Sequence, residues 1–187
     1  MTTLRGDATV GGVTDARRER LRRRFALLDR DRDGRVGEDD YARLGERLTA
    51  AAGLDREDAV GIALRASLAK LWRAVSEDGE AVTLDRWLAA VASDEGDGGF
   101  AVALDEVVRT ALVAFDPDGS GTWDAHEFDR YAQAQGMSER DTEEAFRRLD
   151  REGAGRLTYT DLLRSAREFY AGDDDAAGAW LFGPPRG

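Results

Sequence analysis

Cysteine is absent from the 187-residue chain, and histidine occurs once. Without thiols there is no disulfide framework, no cysteine-ligated zinc and no cysteine nucleophile. One imidazole leaves His-rich metal sites and a Ser-His-Asp triad with no spare base. No glycine-rich phosphate loop or nucleophile motif occurs, so no catalytic residues are expected. Lysine occurs once against 26 arginines, and asparagine is missing. A coding bias toward GC-rich codons accounts for both more simply than a special need for guanidinium forks. Methionine occurs twice, one of them Met1, so a Met-rich, adaptable binding groove is not expected. No apolar run approaches the ~18 residues of a membrane span. The opening MTTLRGDATVGG has no apolar signal core, which makes the cytoplasm the expected location.

What the chain has in excess is acid. Asp and Glu number 38 against 27 basic residues, for a formal net charge of −11. Such a surface repels phosphate, which argues against nucleic acid and anionic membrane as partners, and it attracts cations. Hydrophobic residues make up 42%, which fits a globular chain. At about 150 residues per domain, the length suits one domain or two small halves, and such a chain buries about 70% of its unfolded surface.

An internal repeat organises the sequence. Four segments each read as an amphipathic helix, a short acidic stretch with glycine, and a second helix. Leu21, Phe25 and Leu28 recur at helical spacing before the first loop, and Tyr41, Leu44 and Leu48 after it. Leu68, Trp72 and Val75 precede the second loop, and Trp87, Ala90 and Val91 follow. Val108, Leu112 and Phe115 precede the third, with Phe128 and Tyr131 behind it. Phe146 and Leu149 precede the fourth, with Leu162 and Phe169 behind it. Ser138 and Asp141 form a capping-box pattern, and Asp55 is a candidate cap for the helix entering the second unit. The polar stretch from Ser93 to Gly99 reads as a linker between paired halves. Each loop has one apolar residue near its eighth position: Val36, Val82, Trp123 and Leu157. Paired loops can exchange two backbone hydrogen bonds there as a two-residue ribbon.

The loops carry the chemistry. Ca2+ takes six to eight oxygens at about 2.3–2.6 Å. A twelve-residue loop supplies them with side-chain oxygens at positions 1, 3 and 5, Gly at 6, a carbonyl at 7, water or a side chain at 9 and a carboxylate at 12. DRDRDGRVGEDD (29–40) places Asp29, Asp31 and Asp33 at 1, 3 and 5, Gly34 at 6, the Arg35 carbonyl at 7 and Asp40 at 12; Gly37 at 9 leaves room for water. DPDGSGTWDAHE (116–127) is the better match, with Asp116, Asp118, Ser120, Gly121, the Thr122 carbonyl, Asp124 at 9 and Glu127 at 12. DREGAGRLTYTD (150–161) is eroded: Asp150, Glu152, Arg156, Thr158 and Asp161 are in place, but Ala154 at 5 offers no oxygen. The second unit has only eleven residues between its helices, Ser76 to Arg86. Ser76 replaces the first acid and Arg86 the closing one, so this loop is expected not to bind. Asp at position 12 is one methylene shorter than Glu, which favours closure through one oxygen and a coordination number nearer six, so Mg2+ is expected to compete at the loops closed by Asp40 and Asp161.

These residues resemble the four-EF-hand proteins of the sarcoplasmic calcium-binding type, and most closely the bacterial calerythrin-like group. The resemblance spans nearly the whole chain. It includes RLRRRFALLDRDRDG, GMSERDTEEAFRRLD, the degenerate second hand and the REFY stretch before a short tail. It implies an all-α protein in which two paired EF-hand lobes pack into one compact body, with very short β contacts between paired loops. The implied organisation is an N-terminal pair at 14–92, a linker at 93–99, a C-terminal pair at 100–171 and a tail at 172–187. It implies hands 1, 3 and 4 as cation sites and a role in Ca2+ buffering or regulation. Two or three Ca2+ ions, no enzymatic activity and a monomer complete the expectation. The alternative role is a sensor that exposes an apolar groove to a protein target.

Three features have two readings. The run from Arg17 to Arg24 holds six arginines in eight positions. It reads as a solvated helix face or as a dock for an acidic partner. His126, at position 11, reads as a surface residue rather than a pH switch, and Trp72, Trp87 and Trp123 read as core. Trp180, Leu181 and Phe182 read as a segment folded into an apolar cleft or as a free docking peptide.

Overall fold

The computed structural model describes residues 14–76, 78–92, 98–172 and 175–184. Among the described residues, eight α-helices and four very short strands follow in order: α1 Asp15–Leu28, β1 Arg35–Val36, α2 Glu38–Ala51, α3 Ala59–Val75, β2 Val82–Thr83, α4 Leu84–Ala92, α5 Gly99–Phe115, β3 Thr122–Trp123, α6 Ala125–Ala134, α7 Glu139–Leu149, β4 Leu157–Thr158 and α8 Tyr159–Ala171. The protein is all-α, as the repeat predicts. The expected linker at 93–99 lies outside the described residues except for Gly98, the N-cap of α5, and Gly99, its first residue.

Helices α1, α3, α6, α7 and α8 begin where a polar side chain satisfies a free backbone N–H group. Thr14 accepts from the Arg17 amide at 3.1 Å. Ser138 accepts from the Asp141 amide at 3.3 Å, and its hydroxyl donates to Asp141 Oδ2 at 2.8 Å. The cap of α3 is Asp58, which accepts from Val60 at 2.8 Å, and not Asp55. Residues 55–58 first close a turn, with the Asp58 amide on the Asp55 carbonyl, so the helix starts three residues later than expected.

The eighth-position residues form the expected ribbons. β1 pairs antiparallel with β2, Val36 opposite Val82. β3 pairs with β4, Trp123 opposite Leu157. All four side chains are buried. Each ribbon therefore locks two loops together and anchors both in the core.

The stripes predicted to be apolar face inward, with Ala90, Val108 and Phe146 only half-buried. Trp72, Trp87 and Trp123 are core residues and His126 is exposed. The halves are joined chiefly by α3 against α5, where the Ser67 and Thr110 hydroxyls meet at 2.8 Å and Lys70 pairs with Glu106 at 2.5 Å. Tyr170 of α8 stacks between Trp87 of α4 (6.4 Å) and Phe100 of α5 (4.9 Å). Edge-to-face and tilted contacts of this kind add about 0.5–1.5 kcal/mol each beyond the area they bury.

The arginine run is only in part a solvated helix face. Arg18 and Arg22 are exposed, but Arg20 and Arg24 are buried at 1% and 5% exposure. Arg20 donates to the Phe169 carbonyl at 2.9 Å and to the Gly172 carbonyl at 2.9 Å, and Arg17 donates to the Tyr170 carbonyl at 2.8 Å. The guanidinium groups thus cap the carbonyl end of α8, where the helix dipole favours positive charge. Arg24 donates to Gln135 Oε1 at 2.9 Å and lies 4.0 Å over the Phe182 ring.

The tail is folded back. A 3-10 turn, Ala177–Trp180, packs against α7 and α8, with Ala179 and Leu181 buried and Phe182 edge-on to Phe169 at 4.8 Å.

One link between α5 and α8 is charged. Tyr159 donates to Asp105 Oδ2 at 2.5 Å and Arg109 to Oδ1 at 2.6 Å. Partial burial pushes the Asp105 carboxyl up, but these two donors outweigh it and hold its pKa below the usual range. A depressed carboxyl contributes stability above its unfolded pKa and loses it as pH falls through the folded value. Tyr159→Phe is therefore expected to cost about 1 kcal/mol at neutral pH. The gap to the parent should close as the pH drops below about 4. Urea melts of both proteins across that range check it; a pH-independent gap would show that only packing was lost.

Candidate metal centres

The three loops predicted to bind share one hydrogen-bonded scaffold. In each, the Asp at position 1 accepts from the amides of positions 5 and 6. Asp29 takes Asp33 at 3.1 Å and Gly34 at 3.0 Å. Asp116 takes Ser120 at 3.0 Å and Gly121 at 2.8 Å. Asp150 takes Ala154 at 2.9 Å and Gly155 at 2.8 Å. Position 5 contributes its amide here, so Ala154 leaves the turn of the fourth loop intact although it removes a side-chain oxygen. The position-6 glycines have φ of 81°, 76° and 72°, a left-handed conformation that a side chain disfavours. Position 4 is left-handed as well. Gly119 and Gly153 occupy it in two loops, whereas the first loop places Arg32 there at φ 59°.

The closing residues also repeat. Each position-12 carboxylate accepts from the position-9 amide: Gly37 to Asp40 Oδ2 at 2.8 Å, Asp124 to Glu127 Oε2 at 2.8 Å, Thr158 to Asp161 Oδ2 at 3.0 Å. These bonds complete capping boxes at the starts of α6 and α8; at α2 only the Asp40 half exists, because Gly37 has no side chain to accept in return.

Convergence differs between loops. In the third, carboxylate oxygens of Asp116, Asp118 and Glu127 lie within 4.8 Å of one another. Ser120 Oγ sits 3.1 Å from the Thr122 carbonyl oxygen and 3.4 Å from Asp116 Oδ1. Two oxygens bound to one Ca2+ at about 2.4 Å lie no more than about 5 Å apart, so this donor set fits a divalent cation. Burial pushes the Glu127 carboxyl up, and the Asp124, Asp118 and Asp116 carboxylates push it further, outweighing the Asp124 amide. At Asp116 burial also acts upward, but the Gly121 and Ser120 amides prevail and hold it down.

In the first loop Asp29, Asp31 and Asp33 converge within the same distance, without Asp40. The Arg35 side chain leaves the loop and donates to the Ala81 carbonyl at 2.9 Å, so its charge stands away from the carbonyl predicted to be a ligand. In the fourth loop Asp150, Glu152 and Asp161 form no such group, and Glu152 and Arg156 are exposed.

The second loop holds a cation of its own. Arg86 donates to Asp78 Oδ2 at 3.1 Å, and Ser76 donates to the Glu80 carbonyl at 2.8 Å. The Glu80 amide first, then the Arg86 guanidinium, hold the Asp78 carboxyl below its usual range. The guanidinium closes the shortened loop from within.

Sequence reasoning missed Arg43. Its Nη2 lies 2.5 Å from Asp40 Oδ1 and 3.4 Å from Asp31 Oδ2. The available signal was an arginine three residues past each closing carboxylate: Arg43, Arg130 and Arg164.

Four helix–loop–helix units, joined in pairs by two-residue ribbons, define a four-EF-hand protein. No protein-family model matches the chain. Calerythrin from Saccharopolyspora erythraea is 27% identical over 163 residues, covering 82% of this chain and 92% of calerythrin. A Streptomyces coelicolor calcium-binding protein, described in terms of prokaryotic calcium-mediated regulation, superposes with a TM-score of 0.73 at 22% identity, over 84% of this chain and 99% of that one. Calcium-loaded apo-aequorin from Aequorea victoria superposes with a TM-score of 0.72 at 17% identity, over 86% and 93% of the two chains. The two structural likenesses speak for the fold. Along most of both chains the protein is thus similar to calerythrin, on a four-EF-hand fold.

Proposed function

We propose that the protein binds Ca2+ through its EF-hand loops and acts as an intracellular, cytoplasmic buffer or narrow-specificity regulator, without catalysis and as a monomer. The observation that carries this reading is the convergence of Asp116, Asp118 and Glu127 within 4.8 Å. Loop 116–127 is the strongest site, through Asp116, Asp118, Ser120, the Thr122 carbonyl and Glu127. Loop 29–40 is the second, and loop 150–161 a weaker third. The Streptomyces coelicolor neighbour described as a calcium-binding protein, and the calcium-loaded apo-aequorin, support the choice of ion. An apo protein with clustered carboxylates gains stability by mass action when the cation is supplied.

A buffer needs no groove, and two features favour it over a sensor. The chain lacks the methionines of broad-specificity grooves. The tail places Leu181 and Phe182 over a small apolar cavity of about 30 Å³. An apolar dye is expected to bind equally with and without Ca2+; a large Ca2+-dependent rise would favour the sensor.

A calorimetric Ca2+ titration of the full chain tests the reading. Two ions are expected to bind well and a third more weakly. No heat, together with no retention of calcium in dialysis at about millimolar supply, would overturn it. Repeating the titration in about millimolar Mg2+ is expected to weaken the first loop more than the third, because Asp40 is shorter than Glu127. Equal Ca2+ over Mg2+ selectivity at both loops would remove that explanation.

A further inference from the structure

We propose that Arg43 is a tethered competitor for the cation of the first loop and sets that loop's affinity below that of the third. The inference rests on reading loop 29–40 as a cation site. One guanidinium nitrogen spans the carboxylates of positions 12 and 3, at 2.5 Å from Asp40 Oδ1 and 3.4 Å from Asp31 Oδ2. The other oxygen of Asp40 is held by the Gly37 amide at 2.8 Å. Both oxygens of the closing residue are thus engaged within the chain. Asp40 also stands outside the group formed by Asp29, Asp31 and Asp33.

The sister loops provide the contrast. Arg130 occupies the equivalent position in the third hand but turns away, donating to the Ala52 carbonyl at 3.2 Å, with its guanidinium 5.8 Å from the Phe115 ring centroid. Glu127 therefore stays with Asp116 and Asp118. Arg164, the counterpart in the fourth hand, is exposed, and the one hydrogen-bonded oxygen of Asp161 faces Thr158. Of these three arginines, Arg43 alone faces its own loop.

The chemistry is a competition for one carboxylate. The guanidinium places a positive charge against oxygens that would face the ion, and direct closure by Asp40 requires its Oδ1 to leave Arg43. The Arg43 side chain is 48% exposed and Asp40 only 7%, so the arginine can swing into water while the carboxylate stays. A half-exposed pair of this kind is weak enough to be displaced and strong enough to tax binding severalfold.

The test is Ca2+ titration of Arg43→Gln in the full chain, with each loop followed by its own amide resonances. First-loop affinity should rise about three- to fivefold, with the third loop unchanged within about twofold. Arg18→Gln removes the same charge from the exposed face of α1 and should shift first-loop affinity less than about twofold, which separates competition from net charge. In the parent, the Arg43 Nε–H resonance should move as the first loop fills. Unchanged first-loop affinity in Arg43→Gln overturns the competitor while leaving the loop a site. Absence of first-loop binding in both proteins, with the third loop filling, overturns the site and the competitor with it.

Discussion

Glu127→Gln is expected to weaken Ca2+ binding at the third loop by on the order of 100-fold, while leaving the ion-free protein at least as stable as the parent. Glu127 is 6% exposed and caps the Asp124 amide at 2.8 Å. A glutamine keeps that bond through its amide oxygen, so α6 should still start where it does. What disappears is a formal charge and one of the two carboxylate oxygens. In the ion-free state that charge is a liability, since burial and three neighbouring carboxylates push the Glu127 carboxyl up. A bound cation reverses the account, turning repulsion among Asp116, Asp118 and Glu127 into shared attraction. The parent should therefore melt higher with Ca2+, by about 2.7 kcal/mol for a site at 100 times its Kd. Glu127→Gln should lose most of the gain that the third loop contributes. Glu127→Asp keeps the charge on a shorter arm and should fall between the two, with Mg2+ competing better. A loss below about fivefold in Glu127→Gln would mean that Glu127 does not close the site.

The candidate sites were legible because each is local. Twelve consecutive residues set the scaffold, and the Asp at position 1 finds its amide partners four and five residues on. The ribbons were legible for a similar reason: an apolar eighth residue in a polar loop has little use except to anchor it, and pairing follows from burial of Val36 with Val82 and Trp123 with Leu157. What the sequence concealed depends on distant partners. Arg20 looks like one more surface arginine until its acceptor proves to be the Phe169 carbonyl, 149 residues away. Arg43, Arg130 and Arg164 hold the same register, yet only the packing around each decides which way it points. Asp55 and Asp58 are both good caps, and the choice fell to a turn that consumes the residues between them.

Removing residues 173–187 is expected to lower stability by about 3 kcal/mol, a drop of about 6–12 °C in Tm for a chain of this size. Leu181 is 4% exposed and Ala179 fully buried. Phe182 fills the space between Phe169, 4.8 Å away, and the Arg24 guanidinium, 4.0 Å away. Arg148 lies 4.2 Å over the Trp180 ring. Gly178 runs so close to α8 that a Cβ there would stand 2.4 Å from the Ser165 carbonyl oxygen, and its amide donates to Glu168 Oε2 at 2.9 Å. Those contacts hold the turn at one place on the helix, which a loosely attached peptide would not need. Losing a buried leucine alone costs about 2–5 kcal/mol, and exposing Phe169 and Arg24 adds to it. The entropy released by freeing the tail offsets a part of the sum. The truncated protein should also bind an apolar dye in the absence of Ca2+, because the wall of the cavity beside Arg24, Tyr131 and Leu181 goes with the tail. Melts that superimpose on the parent's would instead identify the segment as a docking peptide that only rests against α7 and α8, and would reopen the sensor reading.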